Sequence, residues 1–117
     1  HFRRCKFEDI SDNDDGCTHA IIYYTNHGVE KFFEAVGNGP IDAVQKGLQK
    51  ELNINVKILD YNEHALSGGA GAKAAAYIHM LDLSSKKATF GVGVSSNITR
   101  ASIRAIFSAL NRLGVSE

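Results

Sequence analysis

The feature that most constrains the fold is a repeated order of patterns: three strand-like runs and then one helical run, twice along 117 residues. In the first half, two runs rich in β-branched and aromatic residues flank Asn26-His27-Gly28, which is typical of a β-hairpin. Each half also contains a Gly-x-Gly ahead of its helix, at Gly37-Asn38-Gly39 and Gly91-Val92-Gly93. We therefore predict a single domain with an α+β fold, two βββα units related by internal pseudo-two-fold symmetry, with halves at about 1–54 and 55–117.

Each helical run has an apolar stripe on one side and recognisable end signals. Pro40 follows a glycine and suits the first helical position, Asn97 suits an N-cap, and Gly114 suits a helix end. Apolar residues recur at three- and four-residue steps, which predicts one buried face for each helix. The stripes are Ile41, Val44, Leu48 and Leu52 in the first helix, and Ile98, Ile103, Ile106, Phe107, Leu110 and Leu113 in the second.

Charge and cysteine content exclude several classes of protein. Thirteen basic and 13 acidic side chains give a formal net charge of zero, without the basic excess of a nucleic-acid-binding surface. No apolar run approaches the ~20 residues that span a membrane, so no membrane partner is expected. Cys5 and Cys17 are too few for a secreted disulfide scaffold, which favours reduced thiols in an intracellular compartment over a bond between them. The start at His1, without methionine, predicts a piece of a longer protein or a processed small one.

One polar run resembles an active-site cluster but lacks the partners that catalysis requires. Asp60-Tyr61-Asn62-Glu63-His64 begins at the end of the strand predicted over Val56–Tyr61, and neighbouring side chains of a strand point to opposite faces. No nucleophile elbow, paired-histidine helix motif or Cys-x-x-Cys accompanies it. The histidines lack metal-ligand spacing. We therefore expect no catalytic residue, no metal and no cofactor.

The glycines before the two helices have two interpretations. Gly37-Asn38-Gly39 lacks the third glycine of a dinucleotide fingerprint, and no Walker motif is present. The simpler interpretation is that these glycines allow positive φ in a tight turn from strand to helix. The alternative is that N–H groups at the helix starts attract an anion such as a carboxylate. With pseudo-two-fold packing, the two helix starts could then face a shared cavity.

Two other segments allow both a structural and a functional interpretation. The alanines of the run Ala72–Ala76 require either a closely packed helix or a small ligand, and the helix is favoured. Arg100, Arg104 and Arg112 of the second helix have no nearby acidic partner in sequence. They predict a solvated face, or alternatively a contact with another domain of a larger protein.

Several motifs, taken in their order along the chain, together resemble those of a known family. They are Gly37-Asn38-Gly39-Pro40-Ile41, Leu59–Ser67, Ala74-Ala75-Ala76-Tyr77-Ile78, Gly91–Val94, Ala101–Ala105 and Ala109-Leu110-Asn111. In this order the chain closely resembles the C-terminal regulatory domain of 2-isopropylmalate synthase, the first committed enzyme of leucine biosynthesis. The match runs from about Phe33 to Leu113, and its Glu-His-Ala and Ala-Ala-Tyr-Ile runs look most like the fungal and actinobacterial branch.

The resemblance implies two βββα units, a homodimer, and leucine bound between the units as a feedback inhibitor. A helix start would meet its carboxylate, and backbone carbonyls or Asp42 its ammonium. The family often has acidic residues after the Ser-Gly loop where this chain has Ala70-Gly71, so the resemblance does not carry over the loop's ligand contacts. Carried over by position, the effector-binding residues are Gly37, Gly39, Ile41, Ile58, Tyr61, Ala65, Ala72, Val94 and Ser96.

The resemblance also implies what this chain does not do. The condensation with acetyl-CoA belongs to a barrel domain that the chain lacks, so we expect a regulatory partner of that catalytic domain and not an enzyme. We expect the parent acyltransferase in the cytoplasm or the mitochondrial matrix. Two alternatives stay open: a citramalate synthase regulatory domain that binds isoleucine, and a dimerisation module without a working effector site.

Overall fold

The computed structural model describes residues 2–11, 16–66 and 72–114, and within these ranges it contains six strands and two helices. The acidic run at 12–15, the Ser-Gly loop at 67–71 and the last three residues lie outside the described residues. No helix in the described part of the chain is long and apolar enough to cross a membrane. The elements are β1 (Phe2–Asp9), β2 (Thr18–Asn26), β3 (Val29–Gly37), α1 (Pro40–Leu52), β4 (Val56–Ala65), β5 (Ala74–Asp82), β6 (Ala88–Ser95) and α2 (Ile98–Leu113).

The strands form two antiparallel sheets, β1-β2-β3 and β4-β5-β6, and each sheet is followed by its helix. The predicted α+β fold of two βββα units is therefore confirmed. We call β1 to α1 the first unit and β4 to α2 the second unit. The main difference from the prediction is β4, which continues to Ala65 beyond a bulge between Ile58 and Asp60. Asn62, Glu63 and His64 look like loop residues in the sequence because β4 is a solvent-exposed edge strand, where polar side chains are common.

Each helix covers one face of its own sheet, here called the inner face, and also contacts the first strand of the other unit. Thus α1 packs on β3 and β2 and contacts β4, whereas α2 packs on β6 and β5 and contacts β1. Because each helix reaches the first strand of the other unit, the packing agrees with a pseudo-two-fold relation between the units. Side chains from both units form one continuous core, in which Ile22, Leu48, Ile78 and Ile106 are fully buried.

The ends of both helices follow the predicted signals. Gly39 is the N-cap of α1 with φ 139°, a conformation that favours glycine, and Pro40 begins the helix. The Asn97 side chain caps α2 by accepting a hydrogen bond from the Arg100 N–H at 3.0 Å. Gly114 ends α2 in the left-handed region with φ 72°.

The other glycines of the two Gly-x-Gly pairs, Gly37, Gly91 and Gly93, lie too close to a helix backbone to carry a side chain. A Cβ at Gly37 would lie 2.6 Å from the Ala43 nitrogen, so this glycine makes room for α1 and does not serve a positive φ. Gly91 and Gly93 lie inside β6, and a Cβ on either would stand 2.0 Å from a carbonyl oxygen of α2. Ala76 lies beside them, fully buried, which supports the helix-packing interpretation of the alanine run.

Candidate functional site

Tyr61 connects the second sheet to α2 at the middle of β4. Its hydroxyl lies 2.7 Å from Ser102 Oγ and donates to Glu63 Oε2 at 2.8 Å. Ser102 Oγ in turn donates to the Ile98 carbonyl at 2.9 Å. Because two hydroxyl hydrogens serve three contacts, only two of these hydrogen bonds can be complete at once. Burial raises the pKa of the Tyr61 phenol above its usual value, and the Glu63 carboxylate adds to that rise.

The partners of Tyr61 are absent from the sequence-based set of site residues. Ser102 is buried on α2, and 41 residues separate it from Tyr61. One signal could have found it: Ser102 stands four residues after Ile98 and one before Ile103, so it is a polar residue at a buried position of the stripe. Glu63 could have been found from the strand period, because residues two apart share a face.

A cavity of about 250 Å³ lies where β4 ends and β5 begins, beside the first turn of α2. We call it the β4-end cavity. Of the predicted effector-binding residues, Ala65 lines this cavity in the described part of the chain. Its walls are mostly apolar, with a carboxylate at one side, which suits a small amphiphilic ligand. The lining residues are Glu63, His64, Ala65, Ala74 and Ile98.

The start of α1, which the sequence also predicts as part of the site, carries its own carboxylate. Asp42 Oδ2 accepts a hydrogen bond from the Asn38 N–H at 2.9 Å and contacts Lys46 Nζ at 2.9 Å. The Asn38 bond, and then Lys46, hold the pKa of the Asp42 carboxyl below its ordinary value. Asp42 therefore already has cationic and N–H partners at the helix start.

The predicted residues of α1 lie next to β4 through a contact between the two elements. The Ile58 N–H donates to Gln45 Oε1 at 3.4 Å, which joins β4 to α1. Ile41, Ile58 and Tyr61 are half-buried and pack against the same core. This contact places the second turn of α1 beside the first half of β4.

The remaining predicted residues are not brought together. Val94 pairs with Ala75 on the outer face of the second sheet, opposite to Tyr61, because it alternates with the inward-facing Gly93. Ser96 is exposed in the turn before α2, and Ala72 is half-buried just beyond the undescribed loop. The structure therefore separates Val94 from the inner-face residues.

The polar run of β4 is divided between the two faces of the sheet. Tyr61 and Glu63 share the inner face, whereas the His64 ring packs against Tyr77, with ring centroids 5.7 Å apart. In the described part of the chain, no group of three or more His, Cys, Asp or Glu side chains is placed to hold a metal ion. No disulfide joins Cys5 to Cys17, and burial raises the pKa of Cys5 to about 12.

Comparison with known proteins identifies the family. The model of the LeuA allosteric (dimerisation) domain matches residues 4–114, which extends the match into β1 and β2. A 2-isopropylmalate synthase of Pseudomonas entomophila is 42% identical over 100 residues, 85% of this chain and 17% of the relative. That of Pseudomonas fluorescens strain Pf0-1 is 53% identical over 76 residues, 65% of this chain and 13% of the relative. That of Brucella suis is 42% identical over 89 residues, 76% of this chain and 16% of the relative.

The chain thus spans less than a fifth of the length of these relatives and matches their allosteric domain. The resemblance to the regulatory domain of 2-isopropylmalate synthase is confirmed, while the fungal and actinobacterial branch stays a prediction. The family match agrees with the two βββα units of the fold. The chain belongs to the LeuA allosteric (dimerisation) domain family.

Proposed function

We propose that this domain binds leucine and, as part of a longer 2-isopropylmalate synthase, transmits feedback inhibition to the catalytic domain. The observation that carries the proposal is the β4-end cavity, in which an apolar space, a carboxylate and a helix start meet. The family match and the names of the relatives support the parent enzyme. We expect no condensation by the regulatory chain itself, because the resemblance assigns that chemistry to a separate barrel domain.

The apolar walls of the cavity suit the isobutyl group of leucine. Ala65 and Ala74 leave space that larger side chains would fill, and Ile98 closes the cavity from the α2 side. Burying a leucine side chain in such a space contributes about 1.5–3 kcal/mol to binding. Isoleucine has the same volume but a different branch point, so discrimination depends on the shape of this cavity.

The carboxylate of the ligand is best placed at the first turn of α2. That turn contains no acidic side chain, whereas the first turn of α1 contains Asp42. N–H groups at a helix start attract an anion, and a carboxylate already present there weakens the attraction for a second one. Gly37, Gly39, Ile41, Ala72 and Ser96 are not among the described residues that line the cavity, and their part in the site stays a prediction.

The ammonium of the ligand is best placed at Glu63 and not at Asp42. Glu63 is exposed and lines the cavity, and its bond to Tyr61 uses one of its two oxygens. Asp42 is held by the Asn38 N–H and by Lys46. Tyr61 and Ser102 position Glu63, so they act on leucine through that carboxylate.

We further propose that two copies of the chain pair through the outer face of the second sheet. Tyr77, His79, Phe90, Val92 and Val94 form a neutral surface there, which we call the β5–β6 face. Phe90 is 57% exposed, and its ring stacks on His79 with centroids 4.4 Å apart. An exposed aromatic surface without charged side chains is typical of the centre of an interface. In this arrangement Val94 contacts the partner copy and not leucine.

Sedimentation velocity tests the dimer. We expect Phe90→Glu to give a monomer, because two buried carboxylates would face each other across the interface. Phe32→Glu is the matched control: Phe32 is 65% exposed on the outer face of the first sheet, and its substitution should leave the dimer intact. A monomeric wild-type chain, or a Phe32→Glu monomer beside a Phe90→Glu dimer, would contradict this assignment.

Thermal unfolding with leucine, isoleucine, valine and alanine in turn tests the effector. A ligand at about 100 times its Kd stabilises the folded state by ~2.7 kcal/mol, which moves the Tm by several degrees. We expect the largest shift with leucine. A larger shift with isoleucine would indicate a citramalate synthase domain, and no shift in a folded dimer would leave a dimerisation module. The cytoplasm or mitochondrial matrix is the location proposed for the parent enzyme.

Substitution of Glu63 tests its assigned role. Glu63→Gln keeps a hydrogen-bond acceptor for Tyr61 but removes the charge that faces the ammonium, so leucine should bind roughly tenfold more weakly. Glu30→Gln, an exposed glutamate in β3, is the matched control and should bind leucine like wild type. Equal leucine affinity in both variants would remove Glu63 from the site.

A further inference from the structure

A second cavity, of about 500 Å³, separates the start of β1 from the outer side of α2. We call it the arginine groove. Arg4 enters it from β1, and Arg104 and Arg112 enter it from α2. On α2 the spacing of Arg104, Ser108 and Arg112 is four residues at each step, which places the three side chains along one stripe. Three arginines from two elements therefore line the groove.

These arginines have no acidic partner in the part of the chain that the structure describes. Neither described ion pair, His19–Glu34 or Lys46–Asp42, includes an arginine, and no acidic residue is found among the described lining of the groove. Arg104 donates one hydrogen bond, to the Val94 carbonyl at 2.7 Å, which leaves most of its five N–H donors available. Three like charges around one cavity repel each other unless an anion enters it.

The backbone of Arg4, which lines the groove, is in an uncommon conformation. Arg4 has φ 53°, in the left-handed region that side chains other than glycine and asparagine rarely adopt. The register of β1 shifts between Arg3 and Lys6, so Arg4 and Cys5 together oppose one residue of β2. Such a bulge re-aims a side chain, and strained residues of this kind cluster at ligand sites.

The two walls of the groove are fixed to each other. Asn111 on α2 accepts a hydrogen bond from the Phe2 N–H at 2.8 Å and donates one to the Phe2 carbonyl at 2.9 Å. The buried Phe2 ring packs against Phe107 of α2 with centroids 5.2 Å apart. Because these contacts fix β1 against α2, the backbones that carry the arginines are in place before any ligand binds, which lowers the entropy cost of binding.

We propose that the arginine groove binds a small multiply charged anion of the phosphate class. Guanidinium groups bind phosphate oxygens through paired, charge-assisted hydrogen bonds, and three of them match an anion with two or more negative charges. Ser108 lies between Arg104 and Arg112 and adds a hydroxyl to the same wall. This site is separate from the β4-end cavity, so the proposal does not depend on leucine binding.

Pyrophosphate is the probe for the test, with the ionic strength held constant by sodium chloride. Calorimetry should detect binding to the wild-type chain, and the Nε–H resonances of Arg104 and Arg112 should shift in NMR spectra. Arg104→Gln with Arg112→Gln should weaken binding at least about tenfold, because each guanidinium supplies charge-assisted hydrogen bonds. Arg100→Gln is the matched control, since Arg100 lies on the same helix outside the groove and should bind like wild type.

Both variants replace exposed side chains, and an unchanged Tm confirms that they fold. Absence of pyrophosphate binding to wild type would overturn the proposal. Equal affinity in the double variant and in Arg100→Gln would overturn it as well, because binding would then come from charge in general. The leucine response should persist in the double variant, which separates a failure of this proposal from a failure of the leucine site.

Discussion

The two units place cavities of the same size at the ends of their first strands but line them with different chemistry. The β4-end cavity has apolar walls of Ala65, Ala74 and Ile98. The cavity at the end of β1, here called the β1-end cavity, is also about 250 Å³ and lies between β1 and the start of α2, the helix of the other unit. Its lining residues are Phe7, Asp9, Asn97, Thr99 and Arg100. Two cavities of equal size beside the same helix start therefore differ in what they suit: an apolar side chain loses less hydration and gains more contact in the β4-end cavity.

The units also reach close helix-to-sheet packing in partly different ways. In the first unit Gly47 of the helix faces the ring of Phe33, and Gly37 at the end of β3 faces the backbone of α1. In the second unit both glycines are on the strand, where Gly91 and Gly93 face the backbone and the alanines of α2. A side chain can shift more easily than a helix backbone, so we expect Gly93 to tolerate a side chain less well than Gly47 does.

The largest expected effect comes from adding a side chain at the glycines of the helix-to-sheet contacts. Gly93→Ala places a Cβ 2.0 Å from the Ala101 carbonyl oxygen and should destabilise the fold by about 3 kcal/mol or more. Gly47→Ala meets the Phe33 ring at 2.8 Å, but it also gains helix propensity, so we expect a change within about 1 kcal/mol. Urea unfolding of both variants measures the difference. Equal destabilisation by Gly93→Ala and Gly47→Ala would show that α2 lies farther from β6 than it does in this structure.

A smaller difference in stability is expected when the hydroxyl is removed from each of two tyrosines that bond a glutamate. Tyr61→Phe removes a hydroxyl that bonds Glu63 and contacts the buried Ser102, and should cost about 1 kcal/mol. Tyr23→Phe removes the equivalent bond to Glu8 on the exposed outer face of the first sheet and should be close to neutral. Chemical denaturation checks both, and a double-mutant cycle of Tyr61→Phe with Ser102→Ala should give a coupling of about 0.5 kcal/mol or more. Additive losses would mean that the two hydroxyls do not interact.

The smallest expected effect is a loss of stability at the start of α1 that depends on pH, which the start of α2 should not show. The pKa of Asp42 is lower in the folded chain than in the unfolded chain, so its contribution to stability is present above the unfolded value of about 3.9. It is lost as the pH falls through the lowered folded-state pKa. Asp42→Asn should therefore cost a few tenths of a kcal/mol near pH 7 and nothing at the acid end. Asn97→Ala should cost about 1 kcal/mol at both pH values, because Asn97 does not titrate.

Unfolding curves of these two variants between pH 2.5 and 7, compared with wild type, provide the measurement. A loss in Asp42→Asn that stays constant with pH would mean that the carboxylate charge plays no part at the start of α1. A loss in Asn97→Ala that depends on pH would mean that the cap acts through a neighbouring ionisable group.

The fold could be predicted from the sequence because each element has a local signal. Periodicity, Pro40, Asn97 and Gly114 depend on residues near in the chain, so the order and ends of the helices follow directly. The far half of β4 could not be predicted, because its polar residues on an exposed edge resemble a loop. The candidate site depends on which face a side chain occupies: the alternation with Gly93 excludes Val94 from the inner face, and Ser102 meets Tyr61 only through tertiary packing.

The most direct test of the central claim, that the second unit holds the leucine site, is a leucine titration followed by amide NMR. We predict the largest shifts at Ala65, Ala74 and Ile98, with little change at Phe7 and Asp9 of the β1-end cavity. Shifts centred on the β1-end cavity, or no saturable shifts in a folded chain, would contradict the account.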